Sequence, residues 1–207
     1  PINTRAFRAR LRAAWHYRQL QESWERDREQ LRRFAAELAV TNRKLEHYAL
    51  TDMLTELPNR RSGMETLAET WSIANRTGQL MAIMLIDIDH FKGINDNYGH
   101  AIGDKVLIAV SAIIRKTARK GDTFCRLGGE EFLVVCQPGN TDAKSAVLFA
   151  ERLRQHIHSQ QITVENFNIQ ISVSIGVALK EPGMHSEDHL VNAADKALYA
   201  AKNAGRD

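Results

Sequence analysis

The sequence predicts an α/β (α+β) domain, a mostly antiparallel sheet flanked by helices, carried behind one long N-terminal helix. Three observations predict it. Residues 4–48 contain neither Gly nor Pro and repeat apolar side chains at heptad spacing. Beyond them, apolar runs and helical patterns alternate in the order strand, helix, hairpin, helix, strand, helix. Within 167–179 the residues Ile169, Ile171, Val173, Ile175 and Val177 alternate with others, the period of a half-buried strand.

The 207 residues suit one domain of ordinary size and an appendage, divided at 1–50 and 51–207. A hydrophobic fraction of 43% supports a core. No apolar stretch approaches the roughly 20 residues that cross a bilayer, and the Arg-rich start lacks the apolar run of a signal peptide. These observations predict a soluble, cytoplasmic chain without a membrane partner. Cys125 and Cys136 lack metal-ligand spacing and read as reduced strand thiols. The net charge of +3 is uneven: residues 1–50 hold 11 Lys and Arg against 6 acids, the remainder 17 against 19. The basic character therefore lies in the arm and does not argue that the globular part binds nucleic acid.

In the arm, Trp24, Leu31, Leu38 and Leu45 form one heptad series. Leu20, Asp27, Phe34, Thr41 and Tyr48 form the other. Together they make a coiled-coil seam, which predicts a homodimer through this helix. The opening Pro1-Ile2-Asn3, followed by Phe7, Leu11 and Ala14, resembles the last turn and helix of a response-regulator receiver domain. That resemblance implies a fragment whose receiver lies upstream. Turn and cap formers at Thr51, Asp52, Thr55, Pro58 and Asn59 end the long helix. A helix is expected over 62–75, a buried strand over 81–86, and a helix over 106–118. Strands over 123–127 and 132–136 flank a Gly-Gly turn; helices over 143–158 and 189–203 flank the alternating strand.

The buried strand runs out into Asp87-Ile88-Asp89, whose carboxylates, two apart, emerge on one face. Glu130 and Glu131 lie at the hairpin tip, after Gly128 and Gly129, which permit a tight turn and close approach of a ligand. Either acid pair alone reads equally as a solvated turn. If the hairpin pairs beside the first strand, three or four carboxylates meet, and their repulsion calls for a hard cation, Mg²⁺ or Mn²⁺. Lys92, Arg126, Lys202 and Arg206 supply cations, the last two four apart at the end of the final helix. Acids, glycines and cations together suit a triphosphate with its metal.

Arg126-Leu127-Gly128-Gly129-Glu130-Glu131-Phe132 resembles the GGEEF form of the GGDEF signature of diguanylate cyclases. So do the stretches 52–61 (DMLTELPNRR) and 87–96 (DIDHFKGIND), Tyr98-Gly99-His100 with Gly103-Asp104, Ser174-Ile175-Gly176-Val177, and the final helix through Lys202, Gly205 and Arg206. The resemblance covers 48–207 and implies a ferredoxin-like, nucleotidyl-cyclase palm that condenses two GTP into cyclic di-GMP, with two divalent ions per site. It implies that Asp87, the Ile88 carbonyl and Glu130 hold metal, that Glu131 assists the 3′-hydroxyl, and that Lys92 steadies the phosphates. Which acid is the base stays open. Backbone around Phe91, with Lys202 and Arg206, would hold the β- and γ-phosphates, and Arg126, Gly128 and Gly129 would border them. Asn95 and Asp104 would read guanine, and His100 either lines the base pocket or buttresses its turn. Arg119 and Asp122 match the family's RxxD product-inhibition motif, with Arg152 as its further arginine. Glu56 stands where the family usually has Gly, and His90 where an aromatic is common. Two rivals remain at this level: a non-catalytic nucleotide-binding module, and a basic arm that binds nucleic acid.

Overall fold

In a computed structural model, described for residues 4–117, 119, 121–139, 142–164 and 167–206, the chain divides into two units, residues up to 49 and residues from 50 onward. The first is α1 (Thr4–Leu50). Its seam side chains stand open to solvent, Trp24 at 72% and Leu31 at 68% of full exposure. Pro1, Ile2 and Asn3, on which the receiver resemblance partly rests, lie outside the described residues. No described helix is long and apolar enough to cross a membrane.

The second unit opens on α2 (Arg60–Thr77), capped by Asn59, whose side chain accepts from the Ser62 amide at 3.1 Å. Then follow β1 (Ala82–Ile88), α3 (Phe91–Tyr98), α4 (His100–Thr117), β2 (Thr123–Gly128) and β3 (Glu131–Val135). The chain closes with α5 (Ala143–Ser159), β4 (Gln161–Val164), β5 (Phe167–Gln170), β6 (Val173–Leu179) and α6 (Glu187–Asn203). Four strands form one antiparallel sheet in the order β2-β3-β1-β6, and β4 and β5 form a separate hairpin. Every residue of β1 is buried because the sheet is covered on both faces. Met84, Ile86 and Ile88 meet α4 and α5 residues such as Val110 and Leu153. Ile83 and Leu85 join Leu67 and Trp71 of α2 and Leu190 and Leu198 of α6. At Gly176 the approach of α6 is so close that a Cβ would collide with the Ala194 carbonyl and the Leu198 backbone.

Three boundaries differ from the expectation. The helix expected from 106 begins at His100, and α3 fills a stretch read as a turn. The two helices are separate because Gly99, at φ 84°, breaks the chain between them. The strand expected over 167–179 is two strands that belong to different sheets. Ile169, Ile171 and Val173 are all buried, so burial alternates through the break and periodicity does not register it. Arg206 lies beyond α6, in the left-handed region at φ 63°, rather than on the helix. Cys125 and Cys136 are free and buried, and burial pushes both thiols up to about 12, which leaves them inert.

Candidate active site

The exit of β1 and the hairpin tip are neighbours. Asp87 lies opposite Glu131 in the β1–β3 register, and the Ile88 amide donates to the Glu130 carbonyl at 3.3 Å. Directly opposed residues project to the same face, with Cβ atoms about 5 Å apart. Gly128 and Gly129 make the turn, at φ 139° and 53°, with a register shift just before it.

Arg126 holds that turn in place. Its Nε and Nη2 donate to the Gly129 carbonyl at 3.0 and 2.8 Å, and its Nη1 donates to both Asp52 oxygens at 3.0 and 3.2 Å. Its side chain is thus directed at the protein, a placement that differs from the phosphate-bordering role its family resemblance implies. The physical reason is competition: a fixed carboxylate and carbonyl already occupy the guanidinium fork. Asp52 also accepts from the Thr55 amide and hydroxyl at 2.9 and 2.7 Å. Burial pushes its carboxyl up, but the Thr55 bonds and the Arg126 bond and charge outweigh that and hold it below the usual range. Glu56, in the same loop, adopts φ 57°, the left-handed conformation that glycine favours.

Lys202 projects from α6 onto Asp87, Nζ to Oδ2 at 2.7 Å. Asp89, buried, accepts from the Ser172 hydroxyl on one oxygen and the Ser174 hydroxyl on the other, each at 2.7 Å. Arg206 Nε stands 4.0 Å from it. The Asp89 carboxylate, expected to join the acids round a cation, is instead held by Ser172 and Ser174, which lie two apart on one face of the chain. Glu131 faces α6 across a cavity of about 360 Å³ that is also lined by Asp195, Tyr199 and Lys202.

Lys202 thus pairs with Asp87, while Asp89 turns to the serines. Among the described residues no three His, Cys, Asp or Glu side chains are grouped to hold a metal. The donors that do adjoin, the Asp87 carboxylate, the backbone at Ile88 and the Glu130 segment, are all oxygen donors, as a hard divalent cation requires.

At the start of α3, His90 takes φ 56° and Phe91 buries its ring, so only its backbone faces the turn; Lys92 is exposed. The Asn95 side chain lies against Gly103, the residue before Asp104, so the two guanine-reading candidates converge where α3 meets α4. His100 is exposed at the first position of α4. Elsewhere, Arg119 and Arg152 approach one ring, with guanidinium carbons 5.5 and 5.3 Å from the centroid of Phe149. Asp122 accepts from the Gln137 amide at 3.1 Å, and its other oxygen is buried without a hydrogen-bond partner among the described residues. Lys120, inside this motif, lies outside the described residues.

A family model, diguanylate cyclase GGDEF domain, matches residues 49–207. Diguanylate cyclase A of Treponema denticola is 39% identical over 175 residues, which are 83% of this chain and 47% of that protein. Diguanylate cyclase DgcP of Pseudomonas aeruginosa is 40% identical over 159 residues, 77% of this chain and 23% of that protein. The chain thus spans less than half the length of these curated relatives. Among solved structures, the coiled coil and GGDEF domain of DgcB from Caulobacter crescentus, in complex with c-di-GMP, superposes with TM-score 0.75 at 32% identity, covering 84% of this chain and 94% of that one. Diguanylate cyclase SiaD from Pseudomonas aeruginosa, in complex with its activator SiaC, gives TM-score 0.73 at 31% identity over 99% of this chain and 77% of that one.

Proposed function

Since this chain belongs to the diguanylate cyclase GGDEF family, we propose that it condenses two GTP into cyclic di-GMP and releases two pyrophosphates. The observation that carries this reading is the meeting of Asp87 with the Glu130-Glu131 turn beside Lys202. In each of two steps a ribose 3′-oxygen bonds to an α-phosphorus, the bond to pyrophosphate breaks, and the hydroxyl proton passes to a base. Glu131, exposed beside Asp87, is placed to assist that proton transfer. Asp87, the Ile88 carbonyl and Glu130 would hold Mg²⁺ or Mn²⁺, two per site. Such ions polarise the phosphoryl group and acidify the hydroxyl. Lys92, Lys202 and Arg206 supply positive charge to the phosphates.

Asp104 can accept from both the N1 and N2 donors of guanine, which adenine lacks, and Asn95 adds a further bond. His100 lines that pocket or buttresses its turn. Arg126 acts by positioning the Gly128-Gly129 turn. One domain holds one GTP, so two must face each other, and a homodimer through α1 would raise their effective concentration. Arg119, Asp122 and Arg152 form the product-inhibition site, because guanidiniums bridge phosphates and stack on guanine. GTP as substrate supports a cytoplasmic location; neither nucleic acid nor membrane is a proposed partner. Incubation with GTP and Mg²⁺ or Mn²⁺ tests the reading. Cyclic di-GMP and pyrophosphate should form, and EDTA or Glu131→Gln should suppress them. GTP binding without product would instead leave a non-catalytic module.

A further inference from the structure

Two cations that the proposed reaction assigns to the phosphates already face carboxylates. Lys202 Nζ stands 2.7 Å from Asp87 Oδ2, and Arg206 Nε stands 4.0 Å from Asp89 Oδ1. The acids lie at the exit of β1, the cations at the end of α6 and just past it. The two acids are not equivalent. Asp89 is also held by the Ser172 and Ser174 hydroxyls, whereas the close contact of Asp87 is with the lysine ammonium. The fold brings that ammonium there. Gly176 lets the backbone of α6 at Ala194 and Leu198 lie against β6, and Lys202 follows one turn beyond Leu198. The Asp87 side chain is 10% exposed and that of Lys202 31%, so salt and water screen the pair little.

We infer that Lys202 is a latch on Asp87: in the nucleotide-free protein its ammonium competes with a divalent cation for this carboxylate, and a triphosphate relieves the competition by drawing the lysine off. The inference rests on the assignment of Asp87 to metal in the proposed reaction. Two cations at one carboxylate repel each other, so each weakens the binding of the other. The flexible four-carbon stem of lysine lets the ammonium leave Asp87 for a phosphate without any shift of α6. Metal and triphosphate therefore bind with positive coupling, since each takes the partner that the other must lose. A nucleoside diphosphate or monophosphate carries less charge and draws the lysine less, so the latch favours a triphosphate. A lysine that served the phosphates alone would leave metal binding to the free protein unaffected.

The test is Mn²⁺ binding to the full chain without nucleotide, read from the loss of the free ion's electron paramagnetic resonance signal. Lys202→Met removes the charge and keeps an apolar stem, and it should bind Mn²⁺ about tenfold more tightly than the parent. Lys202→Arg keeps the charge and should match the parent. Lys196→Met should match it as well, since Lys196 lines the cavity beside Glu131 on the same helix without an ion pair to Asp87. Lysine side-chain nitrogen NMR supplies the second readout. The Lys202 ammonium should be protected from solvent exchange in the free protein. It should lose that protection when a GTP analogue with a methylene bridge between its α- and β-phosphates is added without metal. Equal Mn²⁺ affinity of Lys202→Met and the parent, an equal gain in Lys196→Met or Lys202→Arg, no Mn²⁺ binding by either parent or Lys202→Met, or an ammonium that exchanges freely would overturn the latch. The cyclase reading would survive each of these results, because product formation from GTP by the parent chain judges it separately.

Discussion

Arg126 and Asp52 show how one side-chain pair fixes the geometry of a turn it does not belong to. Asp52 lies 74 positions before Arg126, and their bond ties the loop ahead of α2 to the glycine turn. The lowered carboxyl of Asp52 sets a pH signature. A carboxyl depressed in the folded state stabilises the fold above its unfolded value near 3.9, and that contribution is lost as pH falls through the lower folded value. Urea titrations should therefore find Asp52→Asn destabilising at pH 7, with the gap to the parent chain closing below about pH 4. Glu56 gives the opposite case. Its left-handed backbone costs about 1–2 kcal/mol, while glycine costs about 0.5–1 kcal/mol more chain entropy. Glu56→Gly should raise stability by about 0.5–1 kcal/mol, read from the denaturation midpoint. The motif letters alone revealed the acids and glycines, but not that the Arg126 donors face Asp52 and Gly129. A hydrogen bond across 74 positions leaves no local pattern.

Among the elements, β1 and β6 carry most of the positioning. β1 ends where its two carboxylates emerge, and β6 brings Ser174 under Asp89 while Gly176 admits α6 and, with it, Lys202. The contact at Gly176 is with backbone, which cannot turn aside as a side chain would. Gly176→Ala should cost about 3 kcal/mol, the upper end of overpacking penalties, and should loosen the Lys202–Asp87 pair. Calorimetry measures the first effect and GTP affinity the second; an unchanged melting temperature would contradict this packing. The alternating run through Val177 was legible as strand, yet its division into β5 and β6 was not. A strand that leaves one sheet for another can keep the same residues buried.

At the scale of the molecule, α1 presents a ladder of exposed apolar side chains, and the globular unit brings Asp87 and Glu131 opposite each other at the strand ends where the proposed reaction places one nucleotide. The proposed two-nucleotide reaction would join the two observations through a dimer. Leu31→Glu combined with Leu38→Glu should yield a monomer by light scattering. Its cyclic di-GMP production should fall on the order of a hundredfold at low protein concentration, with single-domain GTP binding retained. A monomer that turned over at the parent rate would refute α1 as the dimerising element. The arm was legible because a long helix without Gly or Pro needs only local periodicity to declare itself.

By itself, the sequence determined the long helix, the fold class, and the residue types that gather at the ends of β1 and the hairpin. Hydrophobic period, turn chemistry and motif spacing are all written within short stretches of chain. The tertiary structure decided which carboxylate is left to do what: Asp87 paired by Lys202, Asp89 held by two serines, Glu131 open to the cavity, and Arg126 turned inward to Asp52. Those assignments depend on competition between groups far apart in the chain, which is settled only once the sheet has brought them within hydrogen-bond reach.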